Sequence, residues 1–309
     1  MSSIARRDYL PLILAAACWG FGTVISKRAD AEIPPLTLLP IQLGSSLVLL
    51  AIFMRAWGVP FRDTTASPIL GRLGVLNPGL AYALSLLGLV TITASLSVML
   101  WALEPLLILV LAAWLLRERV TPGLVILSLV AVAGMLLVIY QPGAGSPIGV
   151  LLTVAGVGCC AVYTVITRRW ISTSDSTAQV VVAQQAYALA LAFVLVAAAW
   201  MLGGAVVPVA IGPVGLASAI GSGVLYYDLA YWLYLTGLRR VPASIAAASF
   251  YLIPIFGVSG GFLFLGERLE PSQWVGVAVA LAATAGILSR TITPPVAIRT
   301  ALASPPSRG

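Results

Sequence analysis

Two carboxylates, Glu104 and Asp228, lie inside long apolar segments of this chain. At about 1.5 Å per helical residue, Glu104 lies roughly 20 Å from Arg117, and Asp228 lies roughly 17 Å from Arg239. Both depths fall near the middle of a hydrocarbon layer about 30 Å thick, where a charge costs at least ~2.5 kcal/mol. Each acid is therefore a candidate for binding an ammonium group or carrying a proton. The alternative is a buried acid that is hydrogen-bonded to a neighbouring Ser, Tyr or Trp.

Aromatic residues form a second candidate set. Tyr227, Tyr231 and Tyr234 fall on one face of a predicted helix. An aromatic belt at the membrane surface explains Trp232 and Tyr234, whereas Tyr227 lies too deep for it. A cage of rings beside a carboxylate suits an aromatic side chain or an organic cation. For any single ring, packing or lipid contact is the alternative. Taken as a set, we predict a substrate site formed with the two acids by Trp19, Phe21, Asn77, Tyr82, Trp101, Tyr163, Tyr227, Tyr231 and Phe250.

Breaks in the backbone form a third set. Asn77-Pro78-Gly79 interrupts one apolar segment, and Pro105 and Pro254 interrupt two others. Proline bends a helix and frees carbonyls, which is tolerated where protein or a cavity receives the exposed polar groups. We predict that Pro78, Pro105 and Pro254 act as hinges, with static bends as the alternative that the sequence leaves open.

A Glu-Arg pair follows the second and the third of these breaks. The pairs are Glu118-Arg119 and Glu267-Arg268. They fall at the ends of apolar segments and therefore at the membrane surface. We interpret them as gate or end-of-helix salt bridges rather than as substrate ligands.

The composition excludes several classes of protein. Hydrophobic residues make up 60% of the 309 residues and charged residues 9%, and the mean hydropathy is +1.05, so most of the surface faces lipid. The net charge of +7 comes from arginines scattered between apolar runs, which indicates membrane topology and no nucleic-acid partner. No lysine or arginine lies at the depth of the two acids, which disfavours anionic substrates.

Catalysis and cofactor chemistry have little support in the residues. The chain has no histidine, and its three cysteines show no ligand spacing, so we expect no metal and no cofactor. The run Gly257-Val258-Ser259-Gly260-Gly261 matches the G-x-S-x-G motif of serine hydrolases, but Ser259 has no histidine base. The same residues form a small-xxx-small face for helix packing. No phosphate-binding loop of an ATP-driven pump is present. A passive channel is the alternative to a carrier.

Apolar runs of about 20 residues predict ten membrane-spanning helices in an all-α integral membrane protein. They cover residues 9–27, 35–56, 69–90, 93–116, 122–140, 147–167, 177–201, 213–237, 242–265 and 272–289. With the N-terminus inside, fourteen arginines fall in cytoplasmic segments and three basic residues fall in outer ones. Because basic residues favour the cytoplasmic side, we expect both termini in the cytoplasm.

A five-helix pattern occurs twice. The first copy contains Ala94-Ser95, Pro105, Glu118-Arg119 and Pro122. The second contains Ala243-Ser244, Pro254, Glu267-Arg268 and Pro271, each 149 residues later. Five crossings per copy invert the second copy, so we predict two inverted repeats at 1–145 and 146–290 and a disordered cytoplasmic tail at 291–309. Inverted repeats are typical of alternating-access transporters, whose site lies between the halves near the bilayer midplane.

The chain resembles the drug/metabolite transporter superfamily, in its ten-helix EamA branch. The resemblance rests on Trp19-Gly20 in the first helix, the prolines in helices four and nine, and the Glu-Arg pair after each proline. Within that branch the chain looks most like the YddG-type exporters of aromatic amino acids.

This resemblance implies a bacterial inner-membrane carrier whose central cavity is lined by helices one, three, four, six, eight and nine. It implies amino acids as substrates, and in some members cationic drugs such as methyl viologen. Helices two and seven are peripheral in such proteins, so we expect Gln42, Gln184 and Gln185 to make interhelical hydrogen bonds. We predict an exporter of amino acids, aromatic ones favoured, whose partners are that small molecule and the lipid bilayer. Proton coupling and oligomeric state are left open.

Overall fold

The chain is helical wherever its structure is described. The computed structural model describes residues 8–58, 68–89, 91, 100–101, 103–118, 120–139, 146–173, 175–204, 210–265 and 271–292. Within these ranges there are helices, turns and bends and no β-strand. The all-α class predicted from the sequence is confirmed for this part of the chain.

The first half runs from α1 to α6. Its helices are α1 (Leu10–Asp30), α2 (Pro35–Ala56), α3 (Pro68–Gly74), α4 (Ala81–Leu89), α5 (Glu104–Leu115) and α6 (Pro122–Ile139). A π-helical segment, π1 (Val75–Leu80), joins α3 to α4. Proline begins α2, α3 and α6 and is the second residue of α5. The first turn of a helix has no carbonyl partner for that N–H, so proline starts these helices without losing a hydrogen bond.

The second half runs from α7 to α13. Its helices are α7 (Pro147–Trp170), α8 (Thr177–Met201), α9 (Pro213–Gly223), α10 (Ala230–Leu238), α11 (Ala243–Ala248), α12 (Ile253–Leu265) and α13 (Pro271–Ile292). A second π-helical segment, π2 (Val224–Leu229), joins α9 to α10, and a 3₁₀ turn (Ser249–Leu252) joins α11 to α12. All of these helices coincide with predicted apolar segments, and α13 extends three residues beyond the predicted end.

Length and surface composition both indicate a membrane protein. By length and composition, α1, α2, α7 and α8 are able to cross a bilayer, and shorter apolar helices lie within α5, α6, α11 to α12, and α13. Large apolar side chains are exposed, among them Trp114 (76%), Leu151 (68%) and Leu202 (87%). Lipid tails are as apolar as these side chains and solvate them without penalty. The chain is therefore a multi-pass membrane protein.

The predicted breaks are present in the helices. Asn77 in π1 has φ −149° and ψ 125°, which is extended rather than helical, and the Asn77–Pro78 bond is cis. A turn at Leu103 precedes α5, and the 3₁₀ turn precedes α12, so the helical path also changes just before Pro105 and Pro254. The break at π2 contains neither proline nor glycine, and its composition gives no signal of it.

Each half packs its first helix against the other half. The helix α1 packs against α9, π2, α10 and α12, and α7 packs against α3, π1, α4 and α5. The helix α2 packs on α8, and α6 packs on α13. Glycine allows the closest approaches, since a Cβ on Gly20 would lie 2.7 Å from the carbonyl oxygen of Ile253. Residues carried on α1 therefore face the helices of the second half.

Candidate functional site

Trp19 of α1 lies at the centre of a group of buried aromatic rings. Its ring meets Tyr231, Tyr234 and Phe250 edge-on, with centroids 5.6, 5.4 and 5.5 Å apart. Such edge-to-face pairs contribute about 0.5–1.5 kcal/mol each beyond the area they bury. A single indole ring, 6% exposed, thus joins α1 to α10 and to the 3₁₀ turn.

Tyr82 of α4 extends this group across the two halves. Its ring centroid lies 5.7 Å from Trp101, 5.6 Å from Tyr226 and 5.7 Å from Tyr227. Its hydroxyl donates a hydrogen bond to the Tyr226 hydroxyl at 3.0 Å. Because Tyr226 also lies 6.5 Å from Trp19, the rings of both halves form one group. We call this the ring cluster, and its members are Trp19, Tyr82, Trp101, Tyr163, Tyr226, Tyr227, Tyr231, Tyr234 and Phe250.

Hydrogen bonds orient the tyrosines of the ring cluster. Tyr231 donates to Oδ1 of Asn77 in π1 at 3.1 Å, and Tyr163 donates to Oε1 of Gln184 in α8 at 2.9 Å. The rings of Tyr163 and Tyr231 lie 6.4 Å apart. A buried tyrosine hydroxyl needs such a partner, and the break at Asn77 supplies one of them.

Most of the residues predicted for the substrate site lie together. Those joined by ring contacts or hydrogen bonds are Trp19, Asn77, Tyr82, Trp101, Tyr163, Tyr227, Tyr231 and Phe250. Phe21 faces α12, where its ring centroid lies 6.0 Å from that of Phe256. Asp228 is buried in π2 and makes no hydrogen bond or ion pair within the part of the chain that is described.

Glu104, the first residue of α5, is buried near the ring cluster. It is 6% exposed, and its Oε1 has no hydrogen-bond partner among the described residues. The Cys160 thiol makes a side-chain hydrogen bond with the Glu104 carboxyl group, and the hydroxyls of Tyr226 and Tyr234 interact with that group electrostatically. None of these neighbours is a cation, so the carboxyl group is available to a cationic group or to a proton.

Two buried N–H groups at the ring cluster also lack a protein partner in the described ranges. They are Nε1 of Trp19 and Nε2 of Gln184. A buried polar group left unpaired costs about 1–3 kcal/mol, so such groups are expected to bond a ligand or water. With Glu104, the cluster presents two donors and one carboxyl group. The described residues contain no set of three side chains suited to hold a metal ion.

Sequence reasoning missed two members of the ring cluster. The assignment of Tyr234 to a surface belt is wrong, because its side chain is 1% exposed and its hydroxyl lies 3.4 Å from Oγ1 of Thr164. Tyr226 was recoverable from the repeat, since it lies 149 residues after Asn77, itself a predicted site residue.

The interhelical role predicted for the glutamines is confirmed. Nε2 of Gln42 donates to Ser26 and Ser222, each at 2.9 Å. Oε1 of Gln185 accepts from Ser46 at 2.7 Å, and its Nε2 donates to the backbone carbonyl of Tyr227. A break in a helix frees a carbonyl that lipid cannot solvate, and Gln185 supplies the missing donor at π2.

Glu118 lies just beyond the end of α5 and contacts the start of α11. Its carboxylate accepts hydrogen bonds from the N–H groups of Ala243 (2.8 Å) and Ser244 (3.1 Å) and from the Ser244 hydroxyl (2.6 Å). A cleft of about 360 Å³ lies beside this contact and is lined by Leu116, Glu118, Arg168, Arg169 and Pro242. The other residues predicted for the gate, Arg119, Glu267 and Arg268, lie outside the described residues.

The serine of the G-x-S-x-G motif is engaged within its own helix. Its hydroxyl donates to the carbonyl of Ile255 at 2.8 Å. Two glycines of this run lie close to α1, since a Cβ on Gly257 would lie 3.6 Å from the Gly20 carbonyl and one on Gly260 would lie 3.0 Å from Phe21. The packing face predicted for Gly257 and Gly261 stays a prediction, because the surroundings of Gly261 lie outside what the structure describes.

Two proteins of similar sequence are named as transporters. The "Uncharacterized transporter YwfM" of Bacillus subtilis is 26% identical over 287 residues, which cover 87% of this chain and 90% of that protein. An "Uncharacterized transporter" of Archaeoglobus fulgidus is 23% identical over 281 residues, covering 89% and 96%. A solved structure titled "Crystal structure of protein" matches with a TM-score of 0.75 at 18% identity, covering 93% of this chain and 99% of that chain, and shows the likeness of fold.

Together with these two relatives, a match to a family of transporters identifies the chain as a membrane transport protein. The model of the EamA-like transporter family matches the chain twice, over residues 8–140 and 147–289. The chain belongs to the EamA-like transporter family.

Proposed function

We propose that this carrier exports amino acids, aromatic ones favoured, by alternating access through a site at the ring cluster. The observation that carries the proposal is the ring cluster itself. It joins both halves of the chain, and beside its rings lie Trp19 Nε1, Glu104 Oε1 and Gln184 Nε2, none of which has a hydrogen-bond partner among the described residues.

The chemistry of the ring cluster matches a zwitterion with an apolar side chain. Glu104 suits an ammonium group, and the N–H groups of Trp19 and Gln184 suit a carboxylate. The surrounding rings suit an aromatic side chain through edge and stacking contacts, or an organic cation through its charge. Asp228, buried in π2, is the alternative candidate for the polar contact.

Two inverted repeats supply the alternating access in this proposal. π1 and π2 lie 149 residues apart, and so do the first residues of α4 and α10. Equivalent glycines have equivalent neighbours: Gly88 approaches Thr153 of α7, and Gly237 approaches Leu12 of α1. The two matches of one family model support the same division. In such carriers the halves rock around a fixed midplane site.

The orientation in the membrane follows from the arginines. We propose ten crossings in a bacterial inner membrane, with both termini in the cytoplasm. The ends of α5, α7 and α10 then lie on the cytoplasmic side. Pro78, Pro105 and Pro254, at or beside the helix breaks, are the proposed hinges for rocking.

A transport panel in proteoliposomes tests the function. Purified protein is reconstituted, and uptake of labelled Phe, Trp, Thr, Lys and methyl viologen is compared with that of protein-free liposomes. We expect saturable uptake that is fastest for Phe and Trp, together with counterflow against excess unlabelled substrate. Saturable uptake of Thr or Lys alone would contradict the aromatic preference. Non-saturable flux without counterflow would identify a passive channel instead.

A further inference from the structure

The N-terminus of α11 has no cap from its own neighbourhood. Its N-cap residue is Pro242, which has no side-chain hydrogen bond to give, so the N–H groups of the first turn need a partner from elsewhere. Glu118, from the other half of the chain, supplies it with three hydrogen bonds. Its negative charge also favours a helix N-terminus, where the backbone dipoles present partial positive charge.

The backbone before Glu118 is shaped for this contact. Arg117 has φ 54°, in the left-handed region that residues other than glycine adopt at a cost. The N–H of Glu118 then bonds back to the carbonyl of Ala112 at 3.2 Å, which closes the end of α5. This turn fixes the direction of the Glu118 side chain toward α11.

The contact forms part of the wall of the cleft and lies at the opposite end of α5 from Glu104. Glu118 follows Glu104 by 14 residues, about 20 Å along the helical path. The cleft beside Glu118 opens on the side that carries Arg168 and Arg169, which the arginine distribution assigns to the cytoplasm. α5 packs on α11, and Glu118 joins these two helices at the wall of the cleft.

We propose that Glu118 is a latch that keeps the cytoplasmic side closed while it caps α11 and releases α11 when that side opens. The latch rests on the alternating access proposed above. Opening exposes the N–H groups of Ala243 and Ser244 and the carboxylate to water in the cleft. Water replaces all three hydrogen bonds, so the latch is reversible.

A second cap between the halves provides a matched control. Oε2 of Glu32 accepts a hydrogen bond from the N–H of Gly212, the N-cap residue of α9, at 2.7 Å. This cap lies where α1 packs along α9, π2 and α10, an interface that continues through the protein. Glu32→Gln weakens an equivalent hydrogen bond without touching the contact of α5 with α11.

Thiol labelling of Cys160 tests the latch. Cys160 is buried beside Glu104, and Cys18→Ser with Cys159→Ser leaves it as the sole thiol. The full-length protein in oriented vesicles is treated with a membrane-impermeant thiol reagent from each face. We expect Glu118→Gln to raise the labelling rate from the cytoplasmic face about 2- to 30-fold, as expected for loss of a helix cap. Ser244→Ala should raise it less, because both backbone donors remain.

The control variant and the results that would contradict the proposal distinguish a latch that opens from a helix cap that stays in place. Glu32→Gln should leave the rate of Cys160 labelling from the cytoplasmic face unchanged. An unchanged rate in both Glu118→Gln and Ser244→Ala, an equal rise in Glu32→Gln, or a thiol unreactive in every variant would each overturn the latch. Wild-type protein that shows no counterflow for any substrate would instead overturn the proposed carrier function, which the labelling does not measure.

Discussion

Replacing Trp19 by phenylalanine isolates one hydrogen-bond donor of the ring cluster. The change keeps an aromatic ring against Tyr231, Tyr234 and Phe250 and removes Nε1, which has no partner among the described residues. The change removes no hydrogen bond to a described residue. The variant should therefore fold like the wild type, with a stability loss of about 1 kcal/mol from the smaller ring.

We expect Trp19→Phe to weaken substrate binding much more than it lowers the free energy of unfolding. A hydrogen bond to a charged group contributes about 1.5–3 kcal/mol, so losing a bond from Nε1 to a substrate carboxylate weakens binding about 10- to 150-fold. Phenethylamine, which lacks the carboxylate, should be affected little. The comparison of Phe with phenethylamine thus identifies the group that Nε1 contacts.

The measurement is the half-saturating concentration for uptake or counterflow in proteoliposomes. Trp114→Phe makes the same chemical change at a side chain that is 76% exposed, and it should leave transport unchanged. The comparison uses equal amounts of folded protein. If the half-saturating concentration for the substrate phenylalanine differs by less than about twofold between Trp19→Phe and wild type, Nε1 donates to no substrate carboxylate.

Three further changes test other parts of the structure. Gly20→Ala places a Cβ 2.6 Å from the Cβ of Phe256, so it should lower the free energy of unfolding in detergent by about 1–3 kcal/mol. Gly44→Ala is the control, because a Cβ there has no atom within 4 Å and should not lower it. Equal melting temperatures of the two variants would contradict the close packing at Gly20. If Glu104 carries the proton rather than the ammonium group of the substrate, Glu104→Gln should abolish flux driven by a pH gradient and spare exchange, and unchanged gradient dependence would remove Glu104 as the proton carrier. Ser259→Ala should leave transport largely intact, because the hydroxyl donates to the carbonyl of Ile255 in its own helix; complete loss with normal folding would reopen the hydrolase interpretation.

Much of the fold could be predicted from properties of residues that are close together in the sequence. Apolar runs of about 20 residues predict spanning helices because lipid requires every backbone group to be paired within its segment. Proline marks helix starts and breaks because it lacks an N–H, and this located the changes at Pro78, Pro105 and Pro254. The spacing of 149 residues also anticipates the position of π2 from that of π1, although π2 has no breaking residue of its own.

The sequence did not predict which side chains of each helix point toward the other helices. A helix that is apolar on all faces has no stripe that marks its buried side. Only the tertiary structure therefore turned Tyr234 toward Trp19 and Phe21 toward α12.

The amino-acid sequence by itself determined that this is a helical membrane protein with paired breaks, because length, hydropathy and proline act over a few residues. The tertiary structure decided which residues meet. Glu118 and Ser244, 126 residues apart, are joined only because α5 and α11 pack together. Contacts of that kind depend on the rotation and register of whole helices, which no short stretch of sequence specifies.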